Sequence, residues 1–351
     1  MSWESNVRRV IPYVPGEQPK EKDIIKLNTN ENPYPPADAV LDVIRNFDTE
    51  DLRKYPDPTV SGLRDALSDS YGVPADQIFV GVGSDDVLAM SFMTFFHGDK
   101  PILFPDITYS FYDVWANEFE IPFQCKPLRE DFTIDPADYL GENGGIVIPN
   151  PNAPTGLEAP QEVLEQIVAS NPNSVVIIDE AYVDFGGQSM LPLIEKYDNL
   201  LVVMTFSKSR SLAGSRIGFA MGSKKLIGYL NDVKYSFNSY TMDRMTMAIG
   251  CASLADHKYF LDCCQRIIDT REWTKRELSA LGFSFPDSHT NFIFATHEKW
   301  QAKQLFEDLK AAGIYVRYFN KPRIDAYLRI SIGTMEEMQR LIDFLKQYEQ
   351  V

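Results

Sequence analysis

Lys208 is the residue of this sequence that is best placed to react covalently with a bound ligand. It lies in TFSKSRSLAGSRIG, residues 205–218, directly after the apolar run LLVVM. If that run is a buried strand, Lys208 stands near its carboxyl end, where α/β proteins bind ligands. A single lysine in a polar loop is usually just solvated. Here it is accompanied by hydroxyls, small residues and a guanidinium that could cradle a phosphate: Ser207, Ser209, Ser211, Gly214 and Arg216.

Asp179 is the second candidate, because it ends the apolar run of SVVIIDEAYVDF, residues 174–185. A carboxylate at the end of a buried strand needs a partner to offset the loss of hydration. That partner could be a ligand. The alternatives are a helix N-cap or an ion pair with a neighbouring loop.

A phosphate could also bind where QIFVGVGSDDVLAMSF, residues 77–92, passes from a strand through a glycine turn into a helix. Gly83, Ser84 and Asp85 fall at the helix start, where free backbone N–H groups and the helix dipole favour anions. The segment GVGSDD lacks the third glycine of a dinucleotide fingerprint, so it supports a nicotinamide oxidoreductase only weakly.

Arg317 and Arg329 are candidates for binding an anionic substrate. Arg329 lies inside the strand pattern YLRISIG, where a buried guanidinium is costly unless a carboxylate or phosphate faces it. An ion pair with one of the 50 acidic residues is the alternative. In IPNPNAPTG, residues 148–156, asparagines and prolines form a turn that could aim a side-chain amide.

A fold must bring these candidate residues together, and the pattern of apolar residues predicts an α/β domain. Residues 146–148, 175–178 and 201–204 are short apolar runs, typical of parallel strands buried on both faces. The helical pattern QEVLEQIVAS separates the first two runs, and an earlier helix in VSGLRDALSDSYG should stop at Gly72. The predicted large domain therefore has a mostly parallel central sheet flanked by helices.

The last ninety or so residues predict a smaller α+β domain. A long helical stretch at 261–281 leads into TNFIFAT, QLFEDLKAAG, GIYVR and YLRISIG. Thr334 and Glu337 have capping-box spacing at the start of the closing helix. We expect an N-terminal arm at residues 1–36, a large domain at 37–258 and a small domain at 259–351, with the arm near the small domain and a cleft between the domains.

Composition excludes several classes of protein. The chain of 351 residues has 34 basic and 50 acidic side chains, a net charge of −16, which argues against a nucleic-acid or anionic-membrane partner. The four cysteines and four histidines have no disulfide, zinc or HExxH spacing, so no metal site is predicted. The first ten residues contain no apolar signal segment, which favours the cytoplasm.

Taken together, the candidates have the parts of a pyridoxal 5'-phosphate site. Lys208 would form an imine with the cofactor aldehyde, and Asp179 would keep the pyridine nitrogen protonated. The helix start at Ser84 and the loop with Arg216 would hold the phosphate. A non-catalytic regulator with the same fold is less favoured, because the chain has no basic DNA-binding segment.

The sequence resembles the enzymes of the aspartate aminotransferase fold (fold type I), a class-II pyridoxal-phosphate-dependent aminotransferase family. Within them it is most similar to the histidinol-phosphate aminotransferase family. The resemblance covers essentially the whole chain and rests on motifs in the family's order: PYVPGEQP, LNTNENPYPP, RKYPDPTVSGLRDAL, GVGSDD, PDITYSFY, NPNAPTG, IIDEAYVDF, SKSRSLAGSRIG, GIYVR and YLRISIGT.

Carried over position by position, the resemblance implies roles for the cofactor site. Lys208, Asp179 and Tyr182 would be catalytic, with Tyr182 on the ring hydroxyl, and Tyr109 would stack on the ring face. Tyr55 would reach the cofactor phosphate of the neighbouring subunit, which implies a homodimer with shared active sites. The implied cofactor-binding set is Gly83, Ser84, Asp85, Tyr109, Asn152, Asp179, Tyr182, Thr205, Ser207, Lys208, Arg216 and Tyr55.

The resemblance also implies a substrate-binding set of Tyr13, Asn30, Arg317 and Arg329. Arg329 would take the substrate carboxylate, while Arg317 and Tyr13 would help bind a substrate phosphate. One position departs from the family pattern, which has asparagine directly before PTG. Here that residue is Ala153, so either the preceding Asn152 contacts the ring hydroxyl or Tyr182 does so alone.

The implied activity is transamination of L-histidinol phosphate with 2-oxoglutarate, giving imidazole acetol phosphate and glutamate in histidine biosynthesis. Two alternatives keep the cofactor and fold. One is an aromatic amino acid aminotransferase, and the other is a threonine-phosphate decarboxylase.

Overall fold

The computed structural model of the chain describes residues 2–14, 16–21 and 23–348. Its strands are β1 (Ile25–Lys26), β2 (Ile78–Gly81), β3 (Ile102–Pro105), β4 (Phe123–Lys126), β5 (Gly145–Pro149), β6 (Val176–Asp179), β7 (Leu200–Thr205), β8 (Gly218–Gly222), β9 (Phe283–Ser284), β10 (Phe292–His297), β11 (Ile314–Tyr315), β12 (Arg317–Tyr318) and β13 (Tyr327–Ser331). Its α-helices are α1 (Asp38–Arg45), α2 (Ser61–Tyr71), α3 (Ser84–Phe95), α4 (Tyr112–Glu118), α5 (Gln161–Ser170), α6 (Lys224–Phe237), α7 (Arg244–Ala255), α8 (His257–Ala280), α9 (Ala302–Ala311) and α10 (Met335–Tyr348).

Seven strands form the central sheet, in the order β2-β8-β7-β6-β5-β3-β4. Strands β3 to β7 run parallel, and β8 is antiparallel to both of its neighbours. The three apolar runs predicted as buried strands are β5, β6 and β7, and every residue in them is buried. In register, Pro149 lies opposite Asp179, and Asp179 lies opposite Val203. The carboxyl ends of the three strands therefore meet at one edge of the sheet.

Both faces of this sheet are covered, which explains why its strands are apolar without alternation. Ile146, Ile178 and Val202 point into a core formed with α2, α5 and α7. Their neighbours Val147 and Ile177 point the other way, into a core formed with α3, α4 and α6. The predicted α/β sandwich is confirmed.

Local capping signals in the sequence are also confirmed. Helix α2 ends at Tyr71, and Gly72 follows in the left-handed conformation with φ of 69°, where its N–H bonds to Ser68 O. At the start of α10, Thr334 N donates to Glu337 Oε2 at 2.7 Å, and Glu337 N donates to Thr334 Oγ1 at 3.2 Å. These reciprocal bonds form the predicted capping box.

The C-terminal part has its own antiparallel sheet, in the order β12-β13-β10-β9, packed with α8, α9 and α10 around a separate core. The N-terminal arm joins this core: β1 pairs in parallel with β11, and Ile25 and Leu27 are each only 1% exposed. Helix α8 begins at His257, close to the predicted boundary at residue 258. The three-part division of the chain stays a prediction.

A search of the helices in the described ranges found none that is both long and apolar enough to cross a lipid bilayer.

Candidate active site

Lys208 lies in the loop of residues 206–217 that joins the adjacent strands β7 and β8. The loop is closed at its base, because Thr205 pairs with Gly218 in register. Lys208 lines a cavity of about 180 Å³, and its Nζ is 3.3 Å from Thr29 O and 5.8 Å from the centroid of the Tyr182 ring. Two different segments, the strand loop and the N-terminal arm, therefore place the amine.

The arm also fixes the backbone of the lysine loop. Asn32 Nδ2 donates to Lys208 O at 3.0 Å and to Ser209 O at 3.2 Å. These hydrogen bonds fix the backbone at Lys208 and therefore limit the directions from which its side chain can enter the cavity.

Most of the predicted cofactor residues come together around this cavity. Thr29, Glu31 and Ala153 line it too, although the sequence analysis assigned no contact to them. Glu31 lies in the NENP motif and forms an ion pair with Lys26. The predicted residues at the cavity are Ser84, Asp85, Tyr109, Asp179, Tyr182, Thr205, Ser207, Lys208 and Arg216.

Asp179 ends β6 and is only 6% exposed. Tyr112 Oη donates to its Oδ2 at 2.8 Å, and Ala181 N donates to its Oδ1 at 3.2 Å. Burial raises the pKa of the Asp179 carboxyl to about 6, against the opposing effect of the Tyr112 hydrogen bond. The predicted N-cap or ion-pair alternatives do not describe this carboxyl, whose strongest donor is a fully buried tyrosine. The sequence analysis missed Tyr112, although it lies three residues after Tyr109 in PDITYSFY.

A single carboxylate holds two other predicted ligands in place. Asp85 Oδ1 accepts a hydrogen bond from Tyr109 Oη at 2.8 Å, and Asp85 Oδ2 lies 3.1 Å from Arg216 Nη2. Burial raises the pKa of Tyr109 far above its ordinary value, so its hydroxyl stays a donor. Asp85 thus orients an aromatic ring and a guanidinium at the same time.

The start of α3 and the loop before β8 meet very closely. Gly83, at the N-cap of α3, has a φ of 85°, and a Cβ there would lie 2.4 Å from Arg216 Nη2. A Cβ on Gly218 would lie 2.2 Å from the carbonyl carbon of Gly83. Nearby, Thr205 Oγ1 donates to Ser207 Oγ at 2.9 Å. Glycine is needed at both positions, because the missing side chain lets the guanidinium approach at Gly83 and lets the first residue of β8 approach the backbone of the helix start at Gly218.

The two predicted arginines lie side by side in the C-terminal sheet, where Arg317 pairs with Arg329 in register. Arg329 Nη2 donates to Asn28 O at 2.9 Å, but its buried Nε finds no hydrogen-bond partner among the described residues. Both guanidiniums stack on Phe319, at 5.5 and 5.6 Å from its centroid. Burial, together with Arg317, lowers the pKa of Arg329.

Neither arginine forms an ion pair within the part of the chain that the structure describes, so the predicted pairing with an acidic residue does not occur there. Two neighbouring positive charges without an anion, one of them half-buried with an unpaired buried Nε–H, are costly in an apoprotein. They are therefore suited to bind an anionic ligand.

Three further predicted residues, like Gly83, Arg317 and Arg329, are not among the residues that line the cavity. Asn30 donates from Nδ2 to Tyr182 Oη at 2.9 Å. Tyr13 stacks on Phe111, with the ring centroids 4.2 Å apart. Tyr55 is 78% exposed.

Asn152 is not brought to the cavity. Its Nδ2 donates to Ile107 O and to Thr155 Oγ1, both at 3.0 Å, and it lines a separate cavity of about 440 Å³. Ala153 faces the Lys208 cavity instead. These hydrogen bonds within and beside the turn, which the sequence pattern does not reveal, hold the amide of Asn152 away from the Lys208 cavity, whereas Tyr182 lines that cavity.

The sequence is similar to known proteins over nearly its whole length. A family model described as aminotransferase class I and II matches residues 22–345. The histidinol-phosphate aminotransferase of Lactococcus lactis subsp. cremoris (strain SK11) is 53% identical over 348 residues, covering 99% of this chain and 98% of that protein. The one from Clostridium botulinum (strain 657 / Type Ba4) is 51% identical over 345 residues, 98% of each chain.

Among solved structures, the histidinol-phosphate aminotransferase from Sinorhizobium meliloti in complex with pyridoxal-5'-phosphate superposes with a TM-score of 0.85. The two sequences are 25% identical, and the match covers 93% of this chain and 91% of that one. The chain therefore belongs to the class I and II aminotransferase family, and the predicted type I fold is confirmed.

The desolvated carboxyl of Asp179 leads to a prediction about stability without any ligand. A carboxyl whose pKa is raised in the folded state stabilises that state at low pH, and this contribution is lost as pH rises through about 6. Asp179→Asn should therefore gain stability relative to wild type by about 1 kcal/mol between pH 5 and pH 8. Urea unfolding of both ligand-free proteins at the two pH values measures this difference.

Asp69→Asn is the control, because Asp69 is an exposed aspartate of α2. It should show no such change between the two pH values. An Asp179→Asn difference that is the same at pH 5 and pH 8 would show that the carboxyl is not desolvated.

Proposed function

We propose that this chain holds pyridoxal 5'-phosphate on Lys208 and uses it to transfer the amino group of L-histidinol phosphate to 2-oxoglutarate. The observation that carries this proposal is the common cavity of a lysine amine, a buried carboxylate and a helix-start anion cradle. Relatives about half identical over nearly their whole length are named histidinol-phosphate aminotransferase. That name supports this donor over aromatic amino acids and threonine phosphate.

The residues around the cavity fit this cofactor. A buried acid that forms no ion pair among the described residues suits a protonated pyridine nitrogen, and the close approach of Gly83 and Arg216 suits a phosphate. Asp179 would hold the ring nitrogen, Tyr109 the ring face and Tyr182 the ring hydroxyl. The phosphate would be surrounded by Ser84, Asp85, Thr205, Ser207 and Arg216, of which Arg216 supplies the positive charge.

When bound, the cofactor supplies an electron-withdrawing ring for the electrons of the donor's α-carbon–hydrogen bond. The chain's own residues supply the rest. Lys208 Nζ, freed when the amine of the donor takes its place, would remove the α-proton as a general base and then donate it to the cofactor carbon that carried the aldehyde. Asp179 keeps its negative charge beside the ring nitrogen, and Asp85 keeps Tyr109 and Arg216 in fixed orientations.

Two anions must be accepted in turn, a phosphate on the donor and a carboxylate on 2-oxoglutarate. Arg329, with a free buried Nε, is suited to the carboxylate, and Arg317 with Tyr13 to the donor's phosphate. Phe319, which lies under both guanidiniums, keeps them apart from bulk water on one face.

We further propose a homodimer in which Tyr55 of each subunit completes the phosphate site of the other. In one chain Tyr55 is exposed and packs on Tyr240, at 4.8 Å between centroids. The apolar side chains of Leu52 and Phe237 are also exposed, at 61% and 66%. Exposed apolar side chains of this size are typical of contact surfaces between subunits. The four free thiols favour a reducing compartment, and we propose the cytoplasm.

An assay with three donors tests the activity. Purified protein loaded with cofactor is given histidinol phosphate, phenylalanine or threonine phosphate, with 2-oxoglutarate as acceptor. We expect histidinol phosphate to give the highest kcat/KM with glutamate as product, and Lys208→Ala to abolish turnover and the lysine-linked chromophore. Faster use of phenylalanine, or release of carbon dioxide from threonine phosphate, would overturn the donor assignment.

Arg329→Ala should impair the half-reaction that uses a carboxylate. The loss of a charge-assisted contact costs about 3 kcal/mol, or about 100-fold in kcat/KM for 2-oxoglutarate and glutamate. Single-turnover kinetics with each substrate measures the loss. Arg317→Ala is the matched comparison and should impair histidinol phosphate more than glutamate. Unchanged kinetics with both dicarboxylates would refute the role of Arg329.

Subunit mixing tests whether Tyr55 acts across a dimer. Lys208→Ala and Tyr55→Ala are each expected to be nearly inactive. A mixed dimer has one site that carries both substitutions and one site that carries neither. Denaturing and refolding equal amounts together should restore about one quarter of wild-type activity, because half of the dimers are mixed. No recovery over the separately refolded variants would place Tyr55 in its own subunit's site or outside any site.

A further inference from the structure

We infer that Asn30 is a positioning residue for Tyr182 and does not bind the substrate. Its side-chain amide orients the Tyr182 hydroxyl so that the phenolic proton points to the ring hydroxyl of the cofactor. The inference rests on the proposed cofactor, but not on the identity of the amino donor.

Each polar group of Asn30 has at least one hydrogen-bond partner inside the protein. Its backbone N donates to Ser331 Oγ at 2.9 Å, and its Oδ1 accepts from the same hydroxyl at 3.0 Å. Its backbone O accepts from Asn291 Nδ2 at 2.9 Å. Its Nδ2 donates to Tyr182 Oη at 2.9 Å. At 1% exposure, Asn30 has no surface left to offer a substrate.

The backbone of Asn30 supports this arrangement. Its φ is 55°, in the left-handed region that asparagine tolerates better than most residues. Ser331 and Asn291 are buried as well, at 2% and 0% exposure. The amide of Asn30 is therefore held in one orientation. Its hydrogen bond to Tyr182 Oη in turn fixes the position of that hydroxyl.

The hydrogen bond leaves Tyr182 with one free function. A phenol has one proton to donate and lone pairs to accept with. Asn30 occupies the acceptor side, and no residue in the described ranges accepts the proton of Tyr182. The tyrosine lines the Lys208 cavity, so that proton is available to a group bound there.

Two features make this orientation matter for the chemistry. A hydroxyl that accepts a hydrogen bond becomes a stronger donor, because successive hydrogen bonds polarise one another. The neighbouring loop residue in the cavity is Ala153, whose methyl group cannot donate. Tyr182 is thus the donor from this side of the cavity, and its strength depends on Asn30.

The test is an absorbance titration of the cofactor-loaded protein without substrate. Losing the Asn30 amide weakens donation from Tyr182 and leaves more negative charge on the ring oxygen. That charge favours the proton on the nearby Lys208 nitrogen, so the pH midpoint of the colour change should rise. We expect a rise of about half a unit to one unit in Asn30→Ala. A midpoint equal to wild type would overturn the inference.

A double-mutant comparison separates positioning from direct substrate binding. In a Tyr182→Phe background, Asn30→Ala should cause no further shift of the midpoint, because the group through which it acts is gone. It should also leave KM for the donor unchanged in that background. A further rise in KM there would mean that Asn30 contacts the substrate itself.

Three more variants keep the test decisive if Asn30→Ala folds poorly. Asn30→Asp has the same shape but places an acceptor against Tyr182, and should shift the midpoint further than Asn30→Ala. Ser331→Ala frees Asn30 without touching Tyr182 and should give a smaller rise. Asn28→Ala is the matched control, since that buried asparagine donates to Glu17 O instead, and its midpoint should equal that of wild type.

Failure of the inference and failure of the proposed function give different results. A protein that forms no lysine-linked chromophore refutes the cofactor assignment. A protein that forms the chromophore but prefers another donor refutes only the donor, and the titration of Asn30→Ala still decides the role of Asn30.

Discussion

A carboxylate that must keep its charge out of water governs the design of this active site. Asp179 is buried at the edge of the central sheet, stabilised by one phenol and one backbone amide. That is too little to match hydration in a ligand-free protein, which is why its pKa is raised to about 6. The missing stabilisation is the binding energy available to a cation that binds beside Asp179.

Other side chains around Asp179 act in pairs that span different segments. Asp85 at the start of α3 holds both Tyr109 and Arg216. Asn30 in the arm joins Tyr182 to Ser331, which lies two residues after Arg329 on β13. Tyr109 and Tyr182, which line the Lys208 cavity, are thus each held by a hydrogen bond to a distant segment of the chain. Ser331 and Asn30 therefore connect the C-terminal sheet to Tyr182 in the cavity lining.

The parts of this structure that were predictable are those that a short stretch of chain determines. Strands β5 to β7, the helix start at Ser84 and the capping box at Thr334 follow from apolar runs and local caps. Arg329 was identifiable because a charge inside a strand pattern needs an anion. Lys208 and Asp179 follow β7 and end β6, so their meeting at one sheet edge needs only the parallel order.

What the sequence did not reveal depends on contacts between distant segments. Tyr112 approaches Asp179 from 67 residues away, and Asn30 approaches Tyr182 from 152 residues away. No periodic pattern marks such pairs. The sequence also did not reveal which way the turn at Asn152 faces, because that depends on hydrogen bonds from its amide to Ile107 O and Thr155 Oγ1.

The pairing of β1 with β11 has a consequence during synthesis on the ribosome. Ile25 pairs with Ile314, so the arm emerges early and must wait for the next 314 − 25 = 289 residues before its partner exists. At about 5–20 residues per second, that delay is roughly 15 to 60 s. During this time Ile25 and Leu27 remain uncovered on the nascent chain. A chain that stalls before β11 therefore presents an unpaired apolar strand, which chaperones and proteases recognise.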